Sequence, residues 1–271
     1  MRNLPIRETF MVIVRTAFSN LGVALRLLWP WLLLIVPPLV GYVIWDSLHP
    51  MSANELDVAQ FAMRFLWIIG LAVLYLLAFS SVAVGWHRYS LLGELPKGFE
   101  VVRNDSATWR YLFNLIGIGI LVGLMIVIPL WILIAVVGPA TVMQSAATGT
   151  VVWALATLLS LFIGTFGTRM LMKLVGIAIG DGQSTIGSCL AASEGNTLNL
   201  FGLSMMLFVV FLPFTYGLEQ LSSGLGASNI GVFPLLAFLG LVVVQALQTF
   251  VGVISLTTLY RFFVQGREIG R

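Results

Sequence analysis

The last apolar stretch of the chain carries the polar side chains best placed to do chemistry. Gln245, Gln248, Thr249, Gly252 and Ser255 recur at intervals of three or four residues, which puts them on one face of a helix. An amide that faced lipid would lack a hydrogen-bond partner, so we expect this face to point into a helical bundle. Two interpretations stay open: the amides join neighbouring helices, or they line a path for a substrate or a lipid headgroup.

Two arginines follow apolar stretches in matching local sequences. WHRYSLLGE occupies 86–94 and YRFFVQGRE occupies 260–268; in both, a Gly stands five residues after the Arg and a Glu closes the segment. We term these two stretches the Arg–aromatic segments. Their arginines, Arg88 and Arg261, together with Arg169 from the middle of the chain, are candidate contacts for an anionic lipid headgroup at the cytoplasmic face.

The Arg–aromatic segments also have a plainer interpretation as membrane anchors. Trp86 and Tyr89 suit the interface between lipid and water, where Arg88 can reach lipid phosphates. The alternative is a cytoplasmic site in which Glu94 and Glu268 orient converging arginines around an anionic group. Both interpretations stay open.

The sequence lacks the motifs of the common catalytic sites. It contains no G-x-S-x-G, no H-E-x-x-H and no P-loop lysine. Its one cysteine and two histidines are too few for a Cys-based or multi-His metal site. We therefore predict no enzymatic activity, no cofactor and no metal. Charged residues are also missing from the apolar stretches, which disfavours proton- or ion-coupled transport.

The composition is that of an integral membrane protein. Of the 271 residues, 59% are apolar and 9% are charged, and the mean hydropathy is +1.01. A soluble domain carries about 25% charged residues. The pI near 9.3 corresponds to a net charge of only +3, which we assign to cytoplasmic loops rather than to a nucleic-acid partner.

Six stretches are long and apolar enough to cross a hydrocarbon core of about 30 Å as helices. These predicted spans are 27–45, 65–86, 112–137, 151–168, 200–218 and 232–257. Residues 6–20 precede them, with Phe10, Val14, Ala17 and Phe18 at helical spacing. This segment is either an amphipathic helix on the membrane surface or the start of the first span.

The basic residues predict the orientation of the spans. Of the 14 Lys and Arg residues, 13 fall in the N-terminal segment, in the loops after the second and fourth spans, and at the C-terminus. The alternate loops hold only Arg64. Because Lys and Arg concentrate in cytoplasmic loops, both termini are predicted to be cytoplasmic.

The order of the elements suggests three copies of one unit, each a surface helix followed by two spans. The candidate repeats of this single membrane domain are 6–94, 95–180 and 181–271. Asn20 precedes Pro37 by 17 residues, as Asn196 precedes Pro213. A lone helical hairpin has little to pack against, which is a physical reason for joining copies.

The predicted fold is therefore all-α: six transmembrane helices arranged as three repeated hairpins, each preceded by a short interfacial amphipathic helix. The second and third surface helices are predicted at 97–106 and 183–195. Residues 170–180 either extend the fourth span or lie flat on the membrane, with Lys173 reaching to the headgroups.

Three stretches of the sequence suggest a family. The relevant stretches are 86–94, 169–201 with ASEGN at 192–196, and 259–262. They resemble a broad family of uncharacterised six-span bacterial inner-membrane proteins, similar in layout to YciC-like proteins and to the membrane region preceding some glycerophosphodiester phosphodiesterase domains. Family members often carry basic residues where this chain has Gly182, Gln183 and Ser188. The resemblance implies a bacterial inner-membrane location without the phosphodiesterase activity.

The expected function is that of a non-enzymatic multi-pass inner-membrane protein. Its expected partners are membrane lipids, an envelope protein or further copies of itself. The alternative is a transporter or lipid-translocating protein that uses the polar face of the sixth span. An enzyme acting on lipid headgroups at the cytoplasmic face is a third class, which the missing motifs disfavour.

Reporter fusions test the predicted orientation. A reporter after Pro50 and another after Gly149 should both lie outside the cytoplasm, because these positions fall in the loops poor in Lys and Arg. Alkaline phosphatase and green fluorescent protein fusions measure this, since each is active on one side only. A fusion after Glu94 is the cytoplasmic control. An outer fusion found in the cytoplasm would contradict the order of spans.

Overall fold

The computed structural model describes residues 3–49, 57–95, 102–138, 146–226 and 233–269, and the regular secondary structure of these ranges is helical throughout. In chain order the helices are α1 (Ile6–Ser19), α2 (Leu21–Leu48), α3 (Val58–Leu92), α4 (Ser106–Val137), α5 (Ala146–Ile179), α6 (Ile186–Ala192), α7 (Thr197–Gly226) and α8 (Phe233–Phe263). The prediction of a helical protein is confirmed.

Within the described ranges, six helices are long and apolar enough to cross a membrane, namely α2, α3, α4, α5, α7 and α8. They correspond to the six predicted spans, so the chain is a multi-pass helical membrane protein. Each helix is longer than its predicted span. Helix α3 has 35 residues and is about 52 Å long, against a hydrocarbon core of about 30 Å. Such helices continue beyond the hydrocarbon.

Prolines lie inside three of these helices without ending them. Helix α2 contains Pro30, Pro37 and Pro38, α4 contains Pro129, and α7 contains Pro213. A proline removes one backbone donor and frees the carbonyl four residues before it. Membrane helices tolerate this because neighbouring groups take up the freed carbonyl, whereas a broken helix would expose much more backbone to lipid.

Helix α5 runs without a break to Ile179, so residues 170–180 extend the fourth span and do not form a separate flat helix. Lys173 Nζ donates to Asn114 Oδ1 at 2.7 Å, so this side chain crosses to α4. The helix ends at Gly180, whose φ of 78° lies in the left-handed region that favours glycine.

Of the other two predicted surface helices, one is shorter than expected and one is not helical in the described residues that precede α4. The helix expected at 183–195 is reduced to α6, which has seven residues and begins after the cap residue Thr185. Of the helix expected at 97–106, residues 97–101 lie outside the described ranges, and 102–105 are not helical. That prediction is wrong for 102–105, because these residues lead into the start of α4.

Helix α1 packs against α7 and α8 along a face that its hydrophobic pattern does not indicate. Its buried side chains are Thr9 and Ile13, whereas Phe18, from the predicted apolar face, is 70% exposed. The backbone N–H of Leu4 donates to Asn196 Oδ1 at 2.8 Å and ties the residues before α1 to the start of α7. Helix α1 is therefore docked on the protein.

The chain divides into two compact units. One consists of Met1–Ser19, Asn114–Ile177 and Asp181–Arg271, and in it α7 and α8 pack side by side. The other consists of Asn20–Phe113 and Ala178–Gly180, and in it α2 packs on α3 where Leu27 lies against Gly85. These boundaries differ from those of the candidate repeats, and the arrangement as three hairpins stays a prediction.

An Asn or Asp stands immediately before four of the long helices. Asn20 precedes α2, Asp57 precedes α3, Asp105 precedes α4 and Asn196 precedes α7. In each case the backbone carbonyl accepts from the N–H four residues later, at 2.9, 3.0, 3.2 and 2.9 Å respectively. The side chains of Asp57 and Asp105 accept from N–H groups of the first turn, whereas the side chain of Asn20 caps no such group. Because α3 is the second span of a candidate repeat, this shared start does not distinguish the first spans of the repeats.

Gly176→Ala should destabilise the protein. A Cβ at this position would lie 2.5 Å from Ser184 Oγ and 3.4 Å from Tyr260 Oη, so packed groups must move. Overpacking of this kind costs about 1–3 kcal/mol, and we expect a lower midpoint of thermal unfolding for the purified protein in detergent. Gly164→Ala is the matched control on the same helix, because its Cβ would meet no atom within 4 Å. An equal loss in both variants would contradict this packing.

Candidate functional site

Arg169 lies at the centre of a buried polar junction between α5, α6 and the start of α7. The side chain is in the buried class, at 8% exposed. Its Nε donates to Ser193 Oγ at 2.8 Å, one Nη donates to the Leu190 carbonyl at 2.6 Å, and the other lies 3.4 Å from Thr197 Oγ1. The junction forms because Ser193, next to the last residue of α6, and Thr197, the first residue of α7, flank one short connection.

The charge of Arg169 is met by neutral groups. The ion pairs in the described part of the chain join Arg64 to Asp46, Arg88 to Glu94 and Arg103 to Asp105, and none includes Arg169. Its guanidinium carbon lies 5.8 Å from the centre of the Phe166 ring, within the range of a cation–π contact. Because all three guanidinium nitrogens bond to protein groups, Arg169 braces three helices together.

A second polar contact ties the end of α8 to the connection between α5 and α6. Tyr260 Oη donates to Asp181 Oδ2 at 2.5 Å. Ser184 Oγ lies 3.7 Å from the sulfur of Cys189, which is fully buried. Burial raises the pKa of the Cys189 thiol, so the thiolate that would react or bind a metal is disfavoured. This cysteine is a packing residue.

Arg88 forms a two-pronged ion pair with Glu94. Its Nε lies 2.6 Å and its Nη 3.0 Å from the two carboxylate oxygens. Gly93, with φ of 73°, reverses the chain so that Glu94 returns beside the arginine. The hydrogen bond from Arg88 lowers the pKa of the Glu94 carboxyl. Glu94 therefore fixes the orientation of Arg88, and it also neutralises the charge that a headgroup would meet.

Trp86, the first residue of the first Arg–aromatic segment, is not an interfacial anchor. Trp86 is 1% exposed and lies inside the protein, because helix packing continues to this end of α3. Tyr89 is half-buried, and its Oη donates to Asn20 Oδ1 at 3.0 Å. The anchoring interpretation of Trp86 is therefore wrong. Tyr89 closes the hairpin of α2 and α3 at the cap residue of α2.

The two Arg–aromatic segments end their helices in the same way. The N–H of Glu94 bonds to the carbonyl of Arg88, and the N–H of Arg267 bonds to the carbonyl of Arg261, six residues earlier in both cases. Gly266, like the glycine of the first segment, has a positive φ, of 66°. This is the Schellman end of a helix, and it explains why Gly follows each arginine by five residues. The side chain of Arg261 is half-buried.

One further polar group was not singled out from the sequence. Asp105 Oδ1 accepts from the N–H and the hydroxyl of Thr108, and Oδ2 lies 2.7 Å from Arg103. Burial alone would raise the pKa of Asp105, but these hydrogen bonds outweigh it and hold the pKa at about 2. The N–H of Arg103 donates to Ser81 Oγ at 2.9 Å. An Asp three residues before a Thr at the start of an apolar stretch was the available signal.

The polar side chains predicted to share one face of α8 differ in their surroundings, because some are packed inside the protein and one is exposed. Gln248 Nε2 donates to Thr215 Oγ1 on α7 at 3.2 Å. Ser255 is buried and donates to the carbonyl of Val251 in its own helix. Thr249 is half-buried, and Gln245 is exposed. One predicted amide therefore joins two helices, and the other lies open to the surroundings.

An apolar groove lies along the α2–α3 hairpin. It has a volume of about 330 Å³ and is lined by Pro38, Met63, Leu66, Trp67, Gly70, Leu71 and Leu74. Such a volume falls within the range of small-molecule sites, of about 300–1,000 Å³. Within the described ranges, no three His, Cys, Asp or Glu side chains come together as a metal site. The hydrocarbon of a lipid is the chemistry that this groove matches.

Comparison of the chain with protein-family models, with curated proteins and with solved structures finds no match. The family resemblance suggested by segment 86–94 and the two other stretches therefore stays a prediction. Inferences about function therefore rest on the geometry of the helices and of the polar groups at their ends.

Arg169→Gln should destabilise the protein far more than Arg88→Gln. Hydrogen bonds to a buried charged group contribute about 1.5–3 kcal/mol, and Arg169 is buried among three partners. The Arg88–Glu94 pair is partly exposed, and pairs of that kind contribute about 0–1 kcal/mol. Thermal unfolding of both variants in detergent measures the difference. Equal stability of the two variants would contradict the bracing role of Arg169.

Proposed function

We propose that this protein is a non-enzymatic, multi-pass protein of the bacterial inner membrane that binds lipid or an envelope protein partner, with both termini in the cytoplasm. Its six long apolar helices support the membrane location. The distribution of Lys and Arg supports the orientation, since 13 of 14 fall on one side of the predicted spans.

The groove of the α2–α3 hairpin carries the lipid-binding part of the proposal. Its lining includes Pro38 from one helix and Trp67, Gly70 and Leu74 from the other. A methylene chain entering the groove would gain contacts on several sides, whereas on a convex helix surface it gains contacts on one. Phospholipid acyl chains are the hydrocarbon available at that position in a bilayer.

Native mass spectrometry of the purified protein tests this proposal. Lipids or protein subunits that remain bound through stepwise removal of detergent would be identified by mass. Retained phospholipid supports lipid binding, and a retained envelope protein supports the partner arm. A protein that retains neither contradicts the proposed function.

Filling the groove should reduce lipid retention. No atom lies within 4 Å of a Cβ built at Gly70, so Gly70→Leu places a side chain in the groove without a backbone clash. We expect fewer phospholipids bound to this variant in the mass spectrum. Gly41→Leu on α2 is the control, because its Cβ is equally unhindered and it does not line the groove. Equal loss or equal retention in the two variants would exclude the groove as the lipid site.

The exposed amide of Gln245 favours a second candidate function, a transporter or lipid-translocating protein. Gln245 lies inside the apolar helix α8, 12 residues after its first residue and 18 before its last, which is about 18 Å and 27 Å along the helix respectively. A polar group so placed is costly in lipid and often marks a pathway for a substrate or headgroup. This position supports the polar-path hypothesis for the sixth span.

Replacing each of the two glutamines by leucine should distinguish a packing role from a transport role. Gln248→Leu removes the hydrogen bond to Thr215, a kind of contact worth about 0.6 kcal/mol between membrane helices, and should lower the unfolding midpoint slightly. Gln245→Leu should leave that midpoint unchanged or raise it. If the protein moves lipid, Gln245→Leu should also slow the exchange of fluorescent phospholipid between leaflets of proteoliposomes. Unchanged exchange in a protein that does move lipid would contradict the polar path.

A further inference from the structure

The outward face of α1 combines two arginines with two large apolar side chains. Arg7, Met11, Arg15 and Phe18 follow one another at intervals of four, four and three residues, which places them in a single stripe along the helix. All four are exposed, Met11 by 58% and Phe18 by 70%. We term these four residues the basic–apolar stripe.

Helix α1 is held so that this stripe faces away from the protein. On the opposite side, Thr9 and Ile13 have no exposed surface. Ile6 packs closely on Gly202 of α7, its Cδ1 lying 3.1 Å from where a Cβ would be. The hydrogen bond from Leu4 to Asn196 fixes the residues before the helix. Rotation of α1 to bury the stripe would break all these contacts.

The stripe also lies at the end of two membrane spans. Asn196 immediately precedes α7, and Asn3, Pro5 and Glu8 share a cavity of about 340 Å³ with Phe262 near the end of α8. The first residue of α7 and the last residues of α8 fall on the side of the membrane that the basic residues assign to the cytoplasm. Helix α1 therefore sits at the level of a membrane surface.

The four side chains match the chemistry of an anionic lipid surface. Guanidinium groups bind phosphate oxygens, and the described ion pairs of the protein do not include Arg7 or Arg15. Water alone would not favour an exposed Phe and Met on a docked helix, and hydrocarbon alone would not favour two arginines. A phosphate headgroup with its adjoining acyl chain satisfies both kinds of group.

We propose that the basic–apolar stripe of α1 is a binding site for anionic phospholipid, with Arg7 and Arg15 on headgroup phosphates and Met11 and Phe18 among the acyl chains. The site rests on the proposed membrane location and is separate from the groove. It selects by headgroup charge, which the apolar groove does not.

Lipid titration of the full-length protein in detergent, followed by native mass spectrometry, tests the site. The lipid probes are phosphatidylglycerol and phosphatidylcholine of matched chains. Arg7→Gln/Arg15→Gln should weaken phosphatidylglycerol binding by about fivefold for each arginine removed, with little effect on phosphatidylcholine. Arg267→Gln is the control, because this exposed arginine lies outside α1. The thermal unfolding midpoint of each variant shows that it is folded.

Further measurements distinguish a lipid headgroup from free phosphate and from non-specific electrostatic attraction. Met11→Ser/Phe18→Ser should weaken phosphatidylglycerol binding, and inorganic phosphate at millimolar concentration should not displace the lipid. The wild type should lose its preference for phosphatidylglycerol as salt is raised, since screening acts on exposed charges. Displacement by inorganic phosphate would overturn the lipid site in favour of a soluble anion.

The remaining outcomes overturn the site in distinguishable ways. If folded Arg7→Gln/Arg15→Gln binds phosphatidylglycerol within twofold of the wild type, the stripe is not the site, although lipid binding by the protein stands. If the wild type binds both lipids equally, the protein binds lipid without selecting charge. If it retains neither lipid nor a protein partner, the proposed function fails together with the site.

Discussion

The interior of a bilayer offers no hydrogen-bond partner to a polar group, and most features of this structure follow from that constraint. The backbone stays helical even through the paired prolines Pro37 and Pro38, because an interrupted helix would leave N–H and carbonyl groups without partners. Hydroxyl side chains in α8 obey the same rule. Ser255, Thr257 and Thr258 each donate to the carbonyl four residues earlier in their own helix.

Charged groups obey a related rule at the helix ends. Arg88 and Arg103 each pair with a carboxylate within a few residues, Glu94 and Asp105 respectively. Arg169 has no such neighbour in the described contacts and is instead surrounded by hydroxyl and carbonyl oxygens. Removing the hydrogen-bond partners of a buried charged group is costly, because the charge then stays buried without partners and without solvent. The residue types at the ends of the spans are therefore the most tightly constrained by their contacts.

The six spans could be predicted because length and composition alone determine whether a helix can cross a bilayer. The ends of the helices were harder. Residues 170–180 have an apolar pattern that suits either a buried helix or a flat one, and only the packing around α5 decides between them. The exposed amide Gln245 and the packed amide Gln248 likewise share one face in the sequence, and the position of Thr215 on α7 separates them.

Other features depend on contacts between distant parts of the chain, which a local pattern does not contain. Helix α1 buries Thr9 because Leu4 and Ile6 are held by α7, so its hydrophobic pattern predicts the wrong face. Trp86 is buried for a similar reason, although tryptophan near the end of a span commonly marks an interface. Asp57 and Asp105 are short-range signals that could have been recognised as helix caps.

The unbroken course of α5 has a mechanical consequence. Its 34 residues form a rod about 51 Å long, whereas the hydrocarbon core is about 30 Å thick. A tilt of about 5° at one end moves the other end sideways by roughly 4 Å over this length. The contacts of Arg169 and Lys173 hold this helix near its C-terminal end, so a change of tilt at these contacts would displace the opposite end by that distance.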